Sequence, residues 1–328
     1  MSRNFQITAL FFTLCTTGYA LADVPHPVPL DSVRADLNNG RADHGLQSLS
    51  TVLSQQPQNA EAHNLRCRIY LQERRWDEAV ASCKAAVDLM PDSSDYNLWL
   101  ARAMGEKADR VSFITAFKMA RQIHQGFETA ARLDPHNLPA LSDLGEFYID
   151  APAVVGGGTD KAEKLADQLN TIAPEKAHYL RARIAENKKN YPLAEQEYKA
   201  AITAAKDPAN AWNDLASFYR RRQQWDDMTQ AVRSGAAADT HDSAALVDGA
   251  SVLVRAGRDL QFARQMLERY LASTNKSEDA PAFRVHAELG KLLAQLGDKQ
   301  GSQEQLAAVQ ELAKDYQYGS HGATNTGR

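Results

Sequence analysis

Pro57, Pro91, Pro135, Pro174 and Pro208 recur along the chain at separations of 34, 44, 39 and 34 residues. Ahead of each lies a helical stretch with a small residue near its start and Leu, Ile or Met near its end. Proline cannot continue a helical hydrogen-bond ladder, so each one punctuates the pattern. A period near 34 residues broken in this way specifies stacked helical hairpins, whose core lengthens unit by unit instead of thickening. Such stacks present a long surface for partners. The repeat therefore constrains the kind of task more than its object.

The 328 residues are 44% hydrophobic and 24% charged, with a formal net charge of −4. That balance gives the chain as a whole no electrostatic drive toward nucleic acid or an anionic membrane. Past the N-terminus, no apolar run approaches the roughly 18 residues that a membrane span needs. The N-terminus reads as an export signal. Arg3 precedes Ile7, Leu10, Phe11, Phe12 and Leu14, and Ala20-Leu21-Ala22 is a small-x-small cleavage pattern. Residues 1–22 are expected to be removed after Ala22, placing the mature protein in a bacterial periplasm. Cys15 follows Phe12-Thr13-Leu14 and lacks the small preceding residue of a lipid-anchor site. A linker is expected at 23–29 and a disordered tail, rich in Gly, Ser, Thr and Asn, over 316–328.

The second unit is the clearest. Its first helix carries Leu65, Ile69 and Tyr70, and its second opens at Trp76-Asp77-Glu78-Ala79 and runs through Cys83, Ala86 and Leu89 to Pro91. Trp212, Leu215, Ala216 and Tyr219 repeat the first-helix pattern, as do Leu144, Gly145 and Tyr148. These residues resemble the tetratricopeptide repeat. The resemblance covers about Leu30 to Tyr316 and implies an all-α, right-handed superhelical solenoid of about eight hairpins over 30–315. Two units are lengthened, one by an apolar stretch around Ala108 to Gln122. The other gains Ala151-Pro152-Ala153-Val154-Val155-Gly156-Gly157-Gly158-Thr159, where Thr159 is expected to cap a helix. That insert resembles a group of exported bacterial repeat proteins with a Pro/Gly-rich connection; the resemblance implies no activity.

In the repeat pattern, the first helix of each hairpin lines the concave face. That places Asn64, Arg68, Arg102, Arg183, Asn213 and Arg220 inward, as a stripe suited to a carboxylate or an extended peptide backbone. The alternative is a solvated groove whose arginines pair internally with Glu61, Glu106, Glu146 or Glu186. Cys67 and Cys83 occupy facing positions of one hairpin, either as a disulfide or as two buried thiols. The glycine triplet is either a phosphate cradle or, without a following Gly-Lys-Ser/Thr, a loop of unusual backbone angles. There is no His-Glu-x-x-His, no Gly-x-Ser-x-Gly and no cluster with metal-ligand spacing. No enzyme, cofactor or metal is expected. The expected role is a scaffold for a protein or peptide partner. A small-molecule subunit of a transport system is the second reading, favoured by any closed apolar pocket near Phe113, Phe117, Phe147 and Val155.

Overall fold

The computed structural model describes residues 30–317. The expected signal segment, the linker and the tail beyond 317 lie outside them. Sixteen α-helices form eight consecutive antiparallel hairpins, each with a first helix A and a second helix B. The first four are α1 (Leu30–Asn39) with α2 (Ala42–Gln55), α3 (Ala60–Gln72) with α4 (Trp76–Leu89), α5 (Ser94–Ala108) with α6 (Phe113–Leu133), and α7 (Leu138–Asp150) with α8 (Thr159–Leu169). The last four are α9 (Pro174–Asn187) with α10 (Tyr191–Ala204), α11 (Ala209–Arg221) with α12 (Trp225–Ala238), α13 (Ala244–Ala256) with α14 (Leu260–Ala272), and α15 (Ala282–Gln295) with α16 (Lys299–Leu312).

Helix α4 shows why these segments fold as they do. Ala79, Ser82, Cys83 and Ala86 are buried at helical spacing, and their small size lets α3 approach. Asp77 and Glu78 sit in the first turn, where the helix dipole favours carboxylates. The proline ladder marks a two-part stop-and-start signal. Pro57, Pro91 and Pro135 each follow the residue that caps a B helix. Two positions later, Asn59, Ser93 and Asn137 accept the backbone N–H groups of Ala62, Tyr96 and Ala140 and so start the next A helix.

Pro174 and Pro208 have a different role. Helices α8 and α10 end at Leu169 and Ala204, before those prolines. Pro174 is the first residue of α9, and Pro208 is the N-cap of α11. Both therefore start helices, where proline's missing N–H costs nothing. The spacing between them follows the length of the fifth hairpin unit, since α9 starts at Pro174 and α11 at Ala209. Thr159 is likewise the first residue of α8; Gly158 occupies the cap, and no side chain bonds there.

The solenoid closes on itself. One apolar cluster joins Val33, Leu37, Leu49, Leu65 and Ile69 of the first two hairpins to Phe283, Ala287, Val309 and Tyr316 at the other end. Phe283 is fully buried and its ring lies 5.0 Å from that of Tyr316. Tyr316 thus belongs to the core, and the ordered solenoid runs past the expected 315 boundary to Gln317, whose N–H donates to the carbonyl of Glu73. Gly40, at φ 66°, lies against the backbone of Pro281 and Ala282, so any side chain there would collide. Across the seam, Arg68 binds Glu278 with two hydrogen bonds, and Gln72 donates to the Glu278 carbonyl at 3.0 Å. In this arrangement the A–B connections of the first two hairpins face the opposite edge of the last hairpin, as in a lock washer.

Glu73 is sealed into this seam with one carboxylate oxygen unpartnered. Burial pushes its carboxyl up to about 7; Asp43 and Asp315 add to the rise, and Arg75 opposes it. Between about pH 4.5 and 7 the unfolded chain releases a proton that the fold retains, so stability falls across that window and stays low above it. Glu73→Gln should raise the unfolding free energy by on the order of 2 kcal/mol at pH 8 and change it little at pH 4.5. Urea denaturation at both values checks this; an equal gain at both would exclude the titration.

Candidate functional site

The A helices line the inner wall, and two cavities lie along it. One, of about 990 Å³, is bordered by Trp76, Trp99, Phe147, Arg68, Arg102 and Glu278 among others. The other, of about 560 Å³, lies between α7, α11 and α13 and includes Tyr179, Asp214, Arg220, Asp248 and Arg255.

The six residues assigned to the concave face separate into three groups. Asn64 and Asn213 are buried, each with one amide atom unpartnered, and Asn213 borders the second cavity. The Asn213 amide donates to the Ala245 carbonyl at 2.8 Å, fastening α11 to α13. An Asn at this packing position is held by the neighbouring A helix, which the residue type alone does not show. Arg68, Arg102 and Arg183 reach the wall but each is engaged by carboxylates. Arg68 pairs with Glu278, Arg102 with Asp143 at 2.6 Å, and Arg183 with Glu146 and Asp150. Of the four acids proposed as internal partners, Glu146 holds Arg183, Glu186 holds Arg221, Glu61 holds Arg34, and Glu106 borders the larger cavity. Arg220 is different: its Nε is buried without a partner, and burial, Arg255 and Arg221 all push its pKa down.

Trp99 organises the larger cavity. The guanidinium groups of Arg68 and Arg102 lie 4.9 and 4.7 Å from its ring centroid, so two cations on adjacent A helices share one indole. Each arginine is thereby fixed by a carboxylate and an aromatic face together. The second cavity is acidic. Burial pushes the Asp214 carboxyl up to about 7, with Glu146 and Asp248 adding to the rise and Lys176 and Arg183 opposing it. Asp248 rises to about 6, again through burial first, with Asp279 and Glu288 adding and Arg255 and Arg284 opposing. This wall changes charge near neutral pH. Arg220, Arg255, Asp214 and Asp248 fall on a helical face whose ionisation depends on enclosure by distant hairpins, so sequence alone gives no sign of it.

The glycine triplet is structural. The three N–H groups of Gly156, Gly157 and Gly158 donate to the carbonyls of Ala153, Pro152 and Tyr148. None is left to cradle a phosphate. Gly156 and Gly158 have φ of 110° and 151°, and a side chain on Gly157 would strike the Ala151 carbonyl. Nor do the residues named for an apolar pocket enclose one. Phe113 is 82% exposed, Val155 is buried, and Phe147 stacks on His124 at 5.3 Å.

Cys67 and Cys83 are both fully buried and form a disulfide across the α3–α4 hairpin, with Cα atoms 5.2 Å apart. His63, one turn before Cys67, has its Nε2 2.8 Å from the Pro57 carbonyl oxygen. Among the described residues no helix is long and apolar enough to cross a membrane.

Among the described residues, eight stacked hairpins with A helices facing a common groove define an all-α solenoid similar in fold to tetratricopeptide-repeat proteins. A family model described as tetratricopeptide repeat matches residues 30–103 and 153–211. The unmatched stretch between them holds the end of α5 and all of α6 and α7. No curated protein sequence matches the chain. Among solved structures, the chain is similar to yeast Tom70, at 15% identity and a TM-score of 0.51 over 90% of this chain and 62% of that one. That likeness is one of fold. A thermophilic TPR protein of Thermus thermophilus aligns at 20% identity and a TM-score of 0.46, over 57% of this chain and 98% of its own. MamA protein aligns at 20% identity and 0.41, over 55% and 92%.

Proposed function

We propose that this chain is an exported scaffold that holds an extended peptide or protein segment along the inner wall of its solenoid, with no catalytic role. The observation that carries the reading is the Trp99 platform. An indole whose ring is met by two fixed guanidinium groups, beside a cavity of about 990 Å³, offers the N–H groups left over from their carboxylate pairs as backbone-directed donors without further ordering. Export is supported by the N-terminal pattern and by the buried disulfide, which suits an oxidising compartment.

Selection of random peptides against the purified chain should yield binders. Arg102→Ala combined with Arg255→Ala should weaken a selected peptide at least about tenfold, given that a charge-assisted hydrogen bond contributes roughly 1.5–3 kcal/mol. Both residues border the larger cavity, and neither forms the closing ion pair at Arg68. Far-UV circular dichroism should be unchanged. Failure to select any peptide, or unaltered affinity in the variant, would overturn the inner-wall assignment.

A further inference from the structure

In an up-down stack all A–B connections emerge on one edge, and here that edge differs from the other in charge. Over hairpins three to eight, residues 109–112, 151–158, 188–190, 222–224, 257–259 and 296–298 hold five Lys or Arg against three Asp or Glu. The B–A connections 90–93, 134–137, 170–173, 205–208, 239–243 and 273–281 hold two against seven. Positive charge is thus gathered on one edge of a chain that is negative overall.

The same edge presents aromatic and aliphatic groups. Arg110, Arg222 and Arg258 lie 4.8, 3.6 and 5.5 Å from the rings of Trp76, Tyr191 and Trp225. Each aromatic opens the B helix of the preceding hairpin, and none of the three arginines forms an ion pair among the described residues. Beyond this rim stands the tip of α6. The helix has 21 residues where α4 has 14, and Ser94 Oγ donating to the Ala130 carbonyl holds its far end in the ordinary register. The extra two turns therefore project from the A–B edge. They expose Phe113 at 82% and Ile114 at 70%, and Val154 in the next A–B connection is 63% exposed. From Ser112 to Phe127 there is no acidic residue. Lys118 and Arg121 are exposed behind the tip, and the Arg121 guanidinium lies 5.3 Å from the Phe117 ring.

A projecting apolar tip backed by cations has no concavity to receive a partner's side chains; neither inner-wall cavity includes Phe113 or Ile114. It does fit a surface that deforms around it and carries negative charge. We propose that the A–B edge docks on an anionic lipid bilayer. Phe113 and Ile114 enter the boundary between headgroups and acyl chains, while Lys118, Arg121 and the rim arginines face the phosphates. The groove interior stays clear of the bilayer and accessible.

The test is sedimentation of the full mature chain with vesicles of phosphatidylcholine alone and of phosphatidylcholine mixed with phosphatidylglycerol. Binding is expected only to the anionic vesicles, and it should fall with salt. Phe113→Ser with Ile114→Ser should weaken it at least about tenfold. Lys118→Gln and Arg121→Gln should each cost about fivefold. Lys206→Gln, on the opposite edge, should change nothing. Absent binding, equal binding to both vesicle types, or indifference to the tip substitutions would overturn the proposal. So would self-association of the chain abolished by Phe113→Ser, which would assign the tip to a second copy.

Discussion

Replacing Phe283 by alanine should open the ring while leaving most helices in place. Phe283 is fully buried and meets Tyr316 edge to face, and it joins the last hairpin to Leu37, Leu65 and Ile69 of the first two. Removing a buried phenyl group costs about 3–5 kcal/mol. Here the loss falls on one junction instead of being spread through the stack. Within a hairpin array each unit is supported by its neighbours, so the seam can part without melting the units beside it. Small-angle scattering should show a larger radius of gyration, and far-UV circular dichroism a small change. Gly40→Val, which forces a side chain against Pro281 and Ala282, should give the same expansion by steric conflict. Unchanged dimensions in both variants would mean that the seam does not hold the ring shut.

Loss of the Cys67–Cys83 bond is the second large effect. The bond closes a loop of 16 residues of sequence separation, for which chain entropy gives about 3 kcal/mol. The second hairpin also carries Arg68, Gln72 and Glu73 of the seam, so weakening it loosens the closure as well. Cys67→Ala with Cys83→Ala should lower stability to chemical denaturant by that amount. In the native-sequence protein, thiol titration after denaturation without reductant should find neither Cys67 nor Cys83 free. Two titratable thiols would exclude the bond.

Much of the fold was legible because it is local. Pro57, Pro91 and Pro135, each followed two positions later by a capping Asn or Ser, state where one helix stops and the next starts. Spacing alone misleads at Pro174 and Pro208, because proline is as suitable at a helix start as after a helix end. Counting along the repeat pattern places Arg68, Arg102 and Arg183 at one helix position, and Arg68 and Arg102 border the larger cavity. Their partners were less legible. Glu278 lies 210 residues from Arg68, and nothing in a repeat pattern reports a contact between the two ends of the array. Asn64 and Asn213 share the polarity of groove residues but are buried, and the Asn213 amide bonds across to the adjacent A helix. The basic edge was hidden for another reason: its five basic residues are spread over four short connections, each unremarkable alone, and only the stacking brings them together.

Closure also bears on how such a chain can change over generations. An open array tolerates the gain or loss of a hairpin, because each end is merely a cap. Once the first and last units are fitted to each other, duplication or deletion of one would carry Gly40 away from Pro281 and Arg68 away from Glu278. Copy number is then locked at eight, and variation is diverted into the connections and the lengths of individual helices. The extended α6, the Ala151–Gly158 loop and the nine-residue connection 273–281 are departures of that permitted kind.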